Sequence, residues 1–199
     1  MSALSLTRDD AVAVDGNADI LQRITDPQVH LALWQRPLPK ALARLEALTW
    51  DEIDDIVEVV AVDRLTHDVP ALVEAAGYGD LALPLAREIV ALCERFAAIM
   101  NCGILRLRLE VVETDACRRF HADNVAARLL MPLVGPGTQW LHAGTEAPFE
   151  ALRPGDVGLF KGLLWAEEPQ ILHRSPPIAA TGATRLLLAI NPDVRAVFE

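Results

Sequence analysis

The spacing of apolar residues changes midway along the chain. In the first hundred residues it is mostly helical. LPKALARLEAL (38–48) carries leucines at 38, 42, 45 and 48, one apolar stripe that predicts a helix. A helical turn is expected at Trp50-Asp51-Glu52-Ile53, with Asp51 as its N-cap. Thr66 or Asp68 opens a further helix, which runs to Ala76 and stops at the Gly77-Tyr78-Gly79 break. The clearest helix is DLALPLAREIVALCERFAAIM (80–100). Leu85, Ile89, Leu92, Phe96 and Ile99 line one of its faces, and Arg87, Glu88, Glu94 and Arg95 lie off it. Within this half, VHLAL (29–33) reads as a short strand.

At Asn101-Cys102-Gly103 the period falls to two. ILRLRLEVVE (104–113) sets Leu105, Leu107 and Leu109 against Arg106, Arg108 and Glu110, the alternation of a half-buried strand. Extended segments follow at 118–123, 125–134, 157–160, 170–173 and 185–191. They are separated by Gly135-Pro136-Gly137, Pro154-Gly155-Asp156 and Ser175-Pro176-Pro177. Many short strands with such punctuation predict a sandwich or barrel. Residues 1–199 contain no repeat and no Gly/Ser linker, so a single domain is expected. Its class is α+β, with a mainly helical layer (1–100) packed on the outer face of a barrel (101–199) that carries the site.

Composition narrows the function. The chain is 52% hydrophobic, enough for a core that buries roughly 70% of the unfolded surface. Its net charge of −10 opposes phosphate backbones, and the arginines form no strip, so nucleic acid is not an expected partner. Cys93, Cys102 and Cys117 match no zinc or disulfide spacing and read as reduced thiols, consistent with a cytoplasmic protein. The N-terminus has no apolar signal core, and no run nears the ~18 apolar residues of a membrane span. The pattern says nothing of oligomeric state.

The candidate chemistry lies at His121-Ala122-Asp123. On an extended segment the imidazole and the carboxylate project from one face, one pleat apart. With His173 as a second imidazole they make the two-His-one-carboxylate set of non-haem Fe(II) sites, which leaves three positions open. Taken alone, His121 is equally a polar strand end and Asp123-Asn124 a turn cap. Arg185 falls on the RLLLAIN face away from the helices, where a guanidinium needs an anion; a surface ion pair is its plainer role. Arg128, the one charge in NVAARLLMPLV, pairs with a ligand or with an acid such as Asp123. Cys117 is a soft ligand or a small buried residue, and His142 a loop histidine. Trp140 and Trp165 wall a pocket or fill a core. Lys161 meets an anion or ends a strand. No phosphate loop, dinucleotide fingerprint, serine elbow or HExxH occurs.

The ordered set PGDVGLF, LHRSPP and RLLLAIN resembles the C-terminal half of cupins and of 2-oxoglutarate-dependent Fe(II) oxygenases. That resemblance implies a double-stranded β-helix, or jelly roll. It implies His121, Asp123 and His173 as iron ligands, and Arg185 on the far carboxylate of 2-oxoglutarate. Over most of its length the chain is also similar to a bacterial domain family of unknown function marked by FHxD, GPGTxWL and HRSPP. Three readings follow: an Fe(II)/2-oxoglutarate oxygenase acting on a small molecule or a protein side chain; a cupin-like metal or small-ligand binder without catalysis, in metal homeostasis and with zinc as the alternative ion; and an interaction module that holds no metal.

Overall fold

The computed structural model describes residues 8–115 and 117–193. Ten strands follow in chain order: β1 (Val12–Asp15), β2 (Leu31–Trp34), β3 (Ile56–Ala61), β4 (Ile104–Val112), β5 (Ala127–Val134), β6 (Gln139–His142), β7 (Glu150–Ala151), β8 (Val157–Lys161), β9 (Ile171–Arg174) and β10 (Arg185–Pro192). Two α-helices, α1 (Leu65–Ala75) and α2 (Ala82–Met100), lie between β3 and β4. Seven strands make the main sheet in the order β1-β2-β8-β5-β10-β4-β3, and β7-β6-β9 make a small one. Only β1 and β2 pair in parallel; the other paired strands run antiparallel.

Alternation along the strands gives the main sheet two different faces. Leu105, Leu107 and Leu109 of β4, Leu129 and Met131 of β5, and Leu186, Leu188 and Ile190 of β10 form a core with Leu85, Ile89, Leu92 and Phe96 of α2. Burying each such side chain contributes about 1.5–3 kcal/mol. Asn101, at φ 49°, stops α2 in the left-handed conformation that asparagine tolerates, as the 101–103 break predicts. The opposite face presents Leu31, Leu33, Leu130, Phe160 and Ala189 to Trp140 and Ile171 of the small sheet. The order is therefore helices, main sheet, small sheet, a mixed α/β arrangement with the candidate site between the sheets.

Four expectations are corrected. The first hundred residues are not only a helical layer, because they supply β1, β2 and β3 to the main sheet. VAVD and LALW are four residues each, too short to show a period. The sheet that carries the site therefore does not begin at residue 101. The 38–48 stripe forms a 3-10 helix, Lys40–Ala47, in which Leu42 and Leu45 are buried. Pro39 at its start has no N–H and no side-chain cap. Asp51 lies inside the 3-10 turn Trp50–Glu52 and does not cap it. Residues 118–123 are not a continuous strand; a single bridge forms there, at His121. Among the described residues no helix is long and apolar enough to cross a membrane. Residues 1–7, where no signal peptide is expected, lie outside the described residues.

Candidate metal centre

His121 and His173 sit directly opposite each other on antiparallel backbone. Each N–H donates to the other's carbonyl, His121 at 3.0 Å and His173 at 2.9 Å. Directly opposed residues project to the same side, and the ring centroids are 4.9 Å apart. β9 carries His173, with Trp140 of β6 as its partner on the other side and Phe160 of β8 against its ring. Asp123 is pinned through its backbone: its carbonyl accepts from Leu163 N–H at 2.9 Å. Gly162 permits that approach, since a Cβ there would lie 2.1 Å from Val125 O and 2.7 Å from Asp123 O.

The side chains converge. His173 Nε2 lies 3.0 Å from Asp123 Oδ2, and His121 Nε2 lies 3.6 Å from Asp123 Oδ1. Among the described residues, this is the one group of three His, Cys, Asp or Glu whose ligand atoms all lie within 4.8 Å of one another. Ligands that share an ion at about 2.1 Å, at right angles, lie roughly 3 Å apart. His121 Nδ1 is 2.8 Å from Arg119 O. That contact makes Nδ1 the protonated nitrogen and leaves the Nε2 lone pair facing the carboxylate. Asp123 Oδ2 is sealed from solvent, and its near neighbour is His173 Nε2. Two imidazole nitrogens and a carboxylate oxygen thus converge, and deprotonated groups so placed accept a cation. The residues fit a divalent metal.

Charge follows this geometry. Burial opposes ionisation of Asp123, but His121, His173 and Arg128 outweigh it and hold the carboxyl far below its usual range. Contact with Asp123 raises His121. Burial lowers His173, keeping it neutral and ready to bind. Arg128 Nη1 is 3.2 Å from Asp123 Oδ1. Arg128 thus meets the acid expected of it.

Arg185 is 1% exposed. Its Nε donates to Pro136 O at 2.6 Å, Nη1 to Ser175 Oγ at 3.1 Å and Nη2 to Thr138 Oγ1 at 3.5 Å. None of these partners is charged, and no carboxylate among the described residues forms an ion pair with it. Burial lowers its pKa to about 10. Gly135 (φ +75°) makes the turn that brings Pro136 O there; a Cβ at Gly135 would lie 2.2 Å from Thr184 O. Thr138 and Ser175 line a cavity of about 150 Å³ together with His121, Asp123, His173, Arg128 and Arg108.

The other candidates separate. Cys117 lines the same cavity, but from a left-handed turn (φ 59°), not from a strand. His142 ends β6 and is outside the three-residue cluster. Trp140 is core between the sheets, and Trp165 is 39% exposed, stacked near Lys161. Lys161 is buried and donates to Asp26 O at 2.5 Å, a structural tie. Arg108, Thr138 and Ser175 were not singled out by sequence. The alternation of β4 already set Arg108 on the face away from the helices, and Thr138 and Ser175 stand inside GPGT and HRSPP.

Comparison with known proteins agrees with this architecture. No curated protein matches the chain. The rice dioxygenase for auxin oxidation is similar in structure at a TM-score of 0.52 and 13% identity, over 90% of this chain and 81% of that one. A Pseudomonas putida prolyl-4-hydroxylase gives 0.49 and 13%, over 88% and 98%. Dioxygenase for auxin oxidation 1 from Arabidopsis thaliana, in complex with 2-oxoglutarate, gives 0.42 and 12%, over 88% and 71%. At these identities the likeness to the rice enzyme is one of fold. The family described as Protein of unknown function (DUF1826) matches residues 15–191, and the chain belongs to it.

Proposed function

We propose that this protein is an Fe(II)- and 2-oxoglutarate-dependent oxygenase acting on a small molecule, built as one domain on a double-stranded β-helix. The observation that carries the reading is one shared cavity. His121, Asp123 and His173 meet in it, and a buried arginine without a counter-anion stands behind the Thr138 and Ser175 hydroxyls in its wall. When bound, iron and 2-oxoglutarate supply the activation of O₂ for oxidation of the substrate. The chain does the rest. His121, fixed through Arg119 O, presents Nε2; Asp123 supplies the anionic ligand; His173, kept neutral by burial, supplies the second nitrogen. Arg185 orients a dicarboxylate by its far end, since a planar guanidinium matches a carboxylate through two parallel bonds. The fold likeness to the rice dioxygenase supports the class.

The test is anaerobic addition of Fe(II) and 2-oxoglutarate. A visible charge-transfer band is expected, followed by succinate on admitting air. No band and no succinate would end this reading.

A second reading is a metal or small-ligand binder without catalysis, with zinc as its ion. It is favoured by the fact that Arg185 already has three neutral hydrogen-bond acceptors. Arg185→Ala separates the two readings. Metal binding survives under both, whereas 2-oxoglutarate binding exists, and is lost, only under the first.

A further inference from the structure

The same cavity has a second basic end. Arg108 on β4 pairs with Ala189 of β10, which pairs with Leu130 of β5; Arg128 is two residues before Leu130 on the same face. Both arginines also line an adjoining cavity of about 260 Å³, with Arg106, Asn191 and Asp193. The two spaces therefore meet at Arg108 and Arg128. In each guanidinium Nε is sealed from solvent and has no hydrogen-bond partner. Arg128 spends Nη1 on Asp123, while Arg108 spends Nη2 on Glu110, a half-exposed pair on its own strand. A buried N–H without an acceptor is costly, so a ligand that supplies acceptors there is favoured. Arg106, the third arginine of this face, pairs with Asp193 at 3.5 Å, so the two unpartnered Nε donors, rather than a surplus of charge, mark the seam.

We infer that the seam between Arg108 and Arg128 binds the carboxylate of an organic-acid substrate, beside the His121–Asp123–His173 cluster. A carboxylate fits because its two oxygens lie in one plane and accept from a guanidinium edge. The substrate carboxylate then sits at Arg108 and Arg128, and the co-substrate against the Thr138 and Ser175 wall that Arg185 backs. The adjacency to a metal rests on the proposed function; the anion site itself does not.

The test is binding of benzoate, with neutral benzamide as its control, followed by ligand-observed NMR in metal-free protein and again with Mn(II). Wild type should bind benzoate at least tenfold more tightly than benzamide. Arg108→Gln should erase that preference, and Arg185→Gln should leave benzoate affinity within twofold. Saturating 2-oxoglutarate should not displace benzoate, and bound Mn(II) should broaden its resonances. Equal affinity for benzoate and benzamide in wild type overturns the site without recourse to any variant. Loss of benzoate in Arg185→Gln with retention in Arg108→Gln also overturns it, because the anion then sits at the co-substrate end. Discrimination against benzamide in protein that takes up no Mn(II) upholds the anion site and defeats the metal reading instead.

Discussion

Asp123→Asn preserves the shape of the side chain and removes its charge. In the metal-free protein the carboxylate meets Arg128 at 3.2 Å, with the two side chains 12% and 20% exposed. At an effective dielectric of about 20, unit charges at that distance attract by about 5 kcal/mol. Desolvation of both partners offsets part of this, and removing one partner of such a pair costs about 3 kcal/mol. For a chain of this length that loss lowers Tm by roughly 6–12 °C. Arg128→Met on top of Asp123→Asn should recover part of it, because no unpaired cation is left behind. The metal-dependent readout is separate. Mn(II) at about a hundred times its Kd should stabilise wild type by about 2.7 kcal/mol, or roughly 5–11 °C. The variant should lose nearly all of that shift, since the anionic member of the ligand set is gone. Thermal melts with and without Mn(II), on wild type, single and double variants, measure both effects. An undiminished Mn(II) shift in Asp123→Asn would refute the reasoning, for the ion would then be bound elsewhere.

Arg185→Met should weaken 2-oxoglutarate binding by roughly 2–5 kcal/mol, at least about 30-fold, with Mn(II) affinity unchanged in calorimetry; equal loss of both would mean that the arginine only supports the fold. Metal binding should release protons near pH 6.5, measured by titration in buffers of different ionisation enthalpy. More should come from His121, raised by Asp123, than from His173, lowered by burial. In metal-free protein the three groups act in different directions. The stabilising charge on His121 is present below its ordinary value of 6.5 and is lost as pH rises through its raised pKa. Neutral His173 stabilises above 6.5 and does so less as pH falls. Asp123 contributes above its ordinary value of 3.8 and is lost only in stronger acid. Urea melts from pH 3 to 9 resolve the two histidine steps. Gly135→Ala should cost more than about 1 kcal/mol, because φ +75° and Thr184 O both oppose a Cβ; wild-type stability in urea would contradict the account of that turn.

The parts of this molecule that were legible in sequence are those with a long period or a local constraint. β4 and α2 show their buried faces over nine and nineteen residues, and the structure places both within two residues of expectation. The convergence of His121, Asp123 and His173 was readable as an ordered set of motifs, although the extended segment expected to align His121 with Asp123 is a single bridge at His121. Of the three N-terminal strands, β2 was legible as VHLAL (29–33) though its place in the sheet was not, and β1 and β3 were not read as strands. β1 is flanked by a 3-10 turn and by Asp15-Gly16-Asn17, and β2 stands between His30 and a proline-rich stretch, so neither gives a period to count. Arg108 was hidden for another reason: an arginine alternating with leucines reads as the solvent side of a strand. Only the small sheet, a separate layer recruited from 139–174, shows that this side faces a cavity.

The reciprocal backbone bonds between residues 121 and 173 couple ligand geometry to local order. Neither imidazole stands on the same hydrogen-bonded element as the other until that rung closes, and before it the two segments are tied by one further backbone bond, Ser175 N–H donating to Cys117 O at 3.1 Å. Unzipping one rung therefore dismantles the coordination set while the main sheet stays intact. By reciprocity an ion held there would lock the rung shut, so the two amide protons at 121 and 173 become a gauge of occupancy, slow to exchange with solvent deuterium when the ion is bound and fast when it has left.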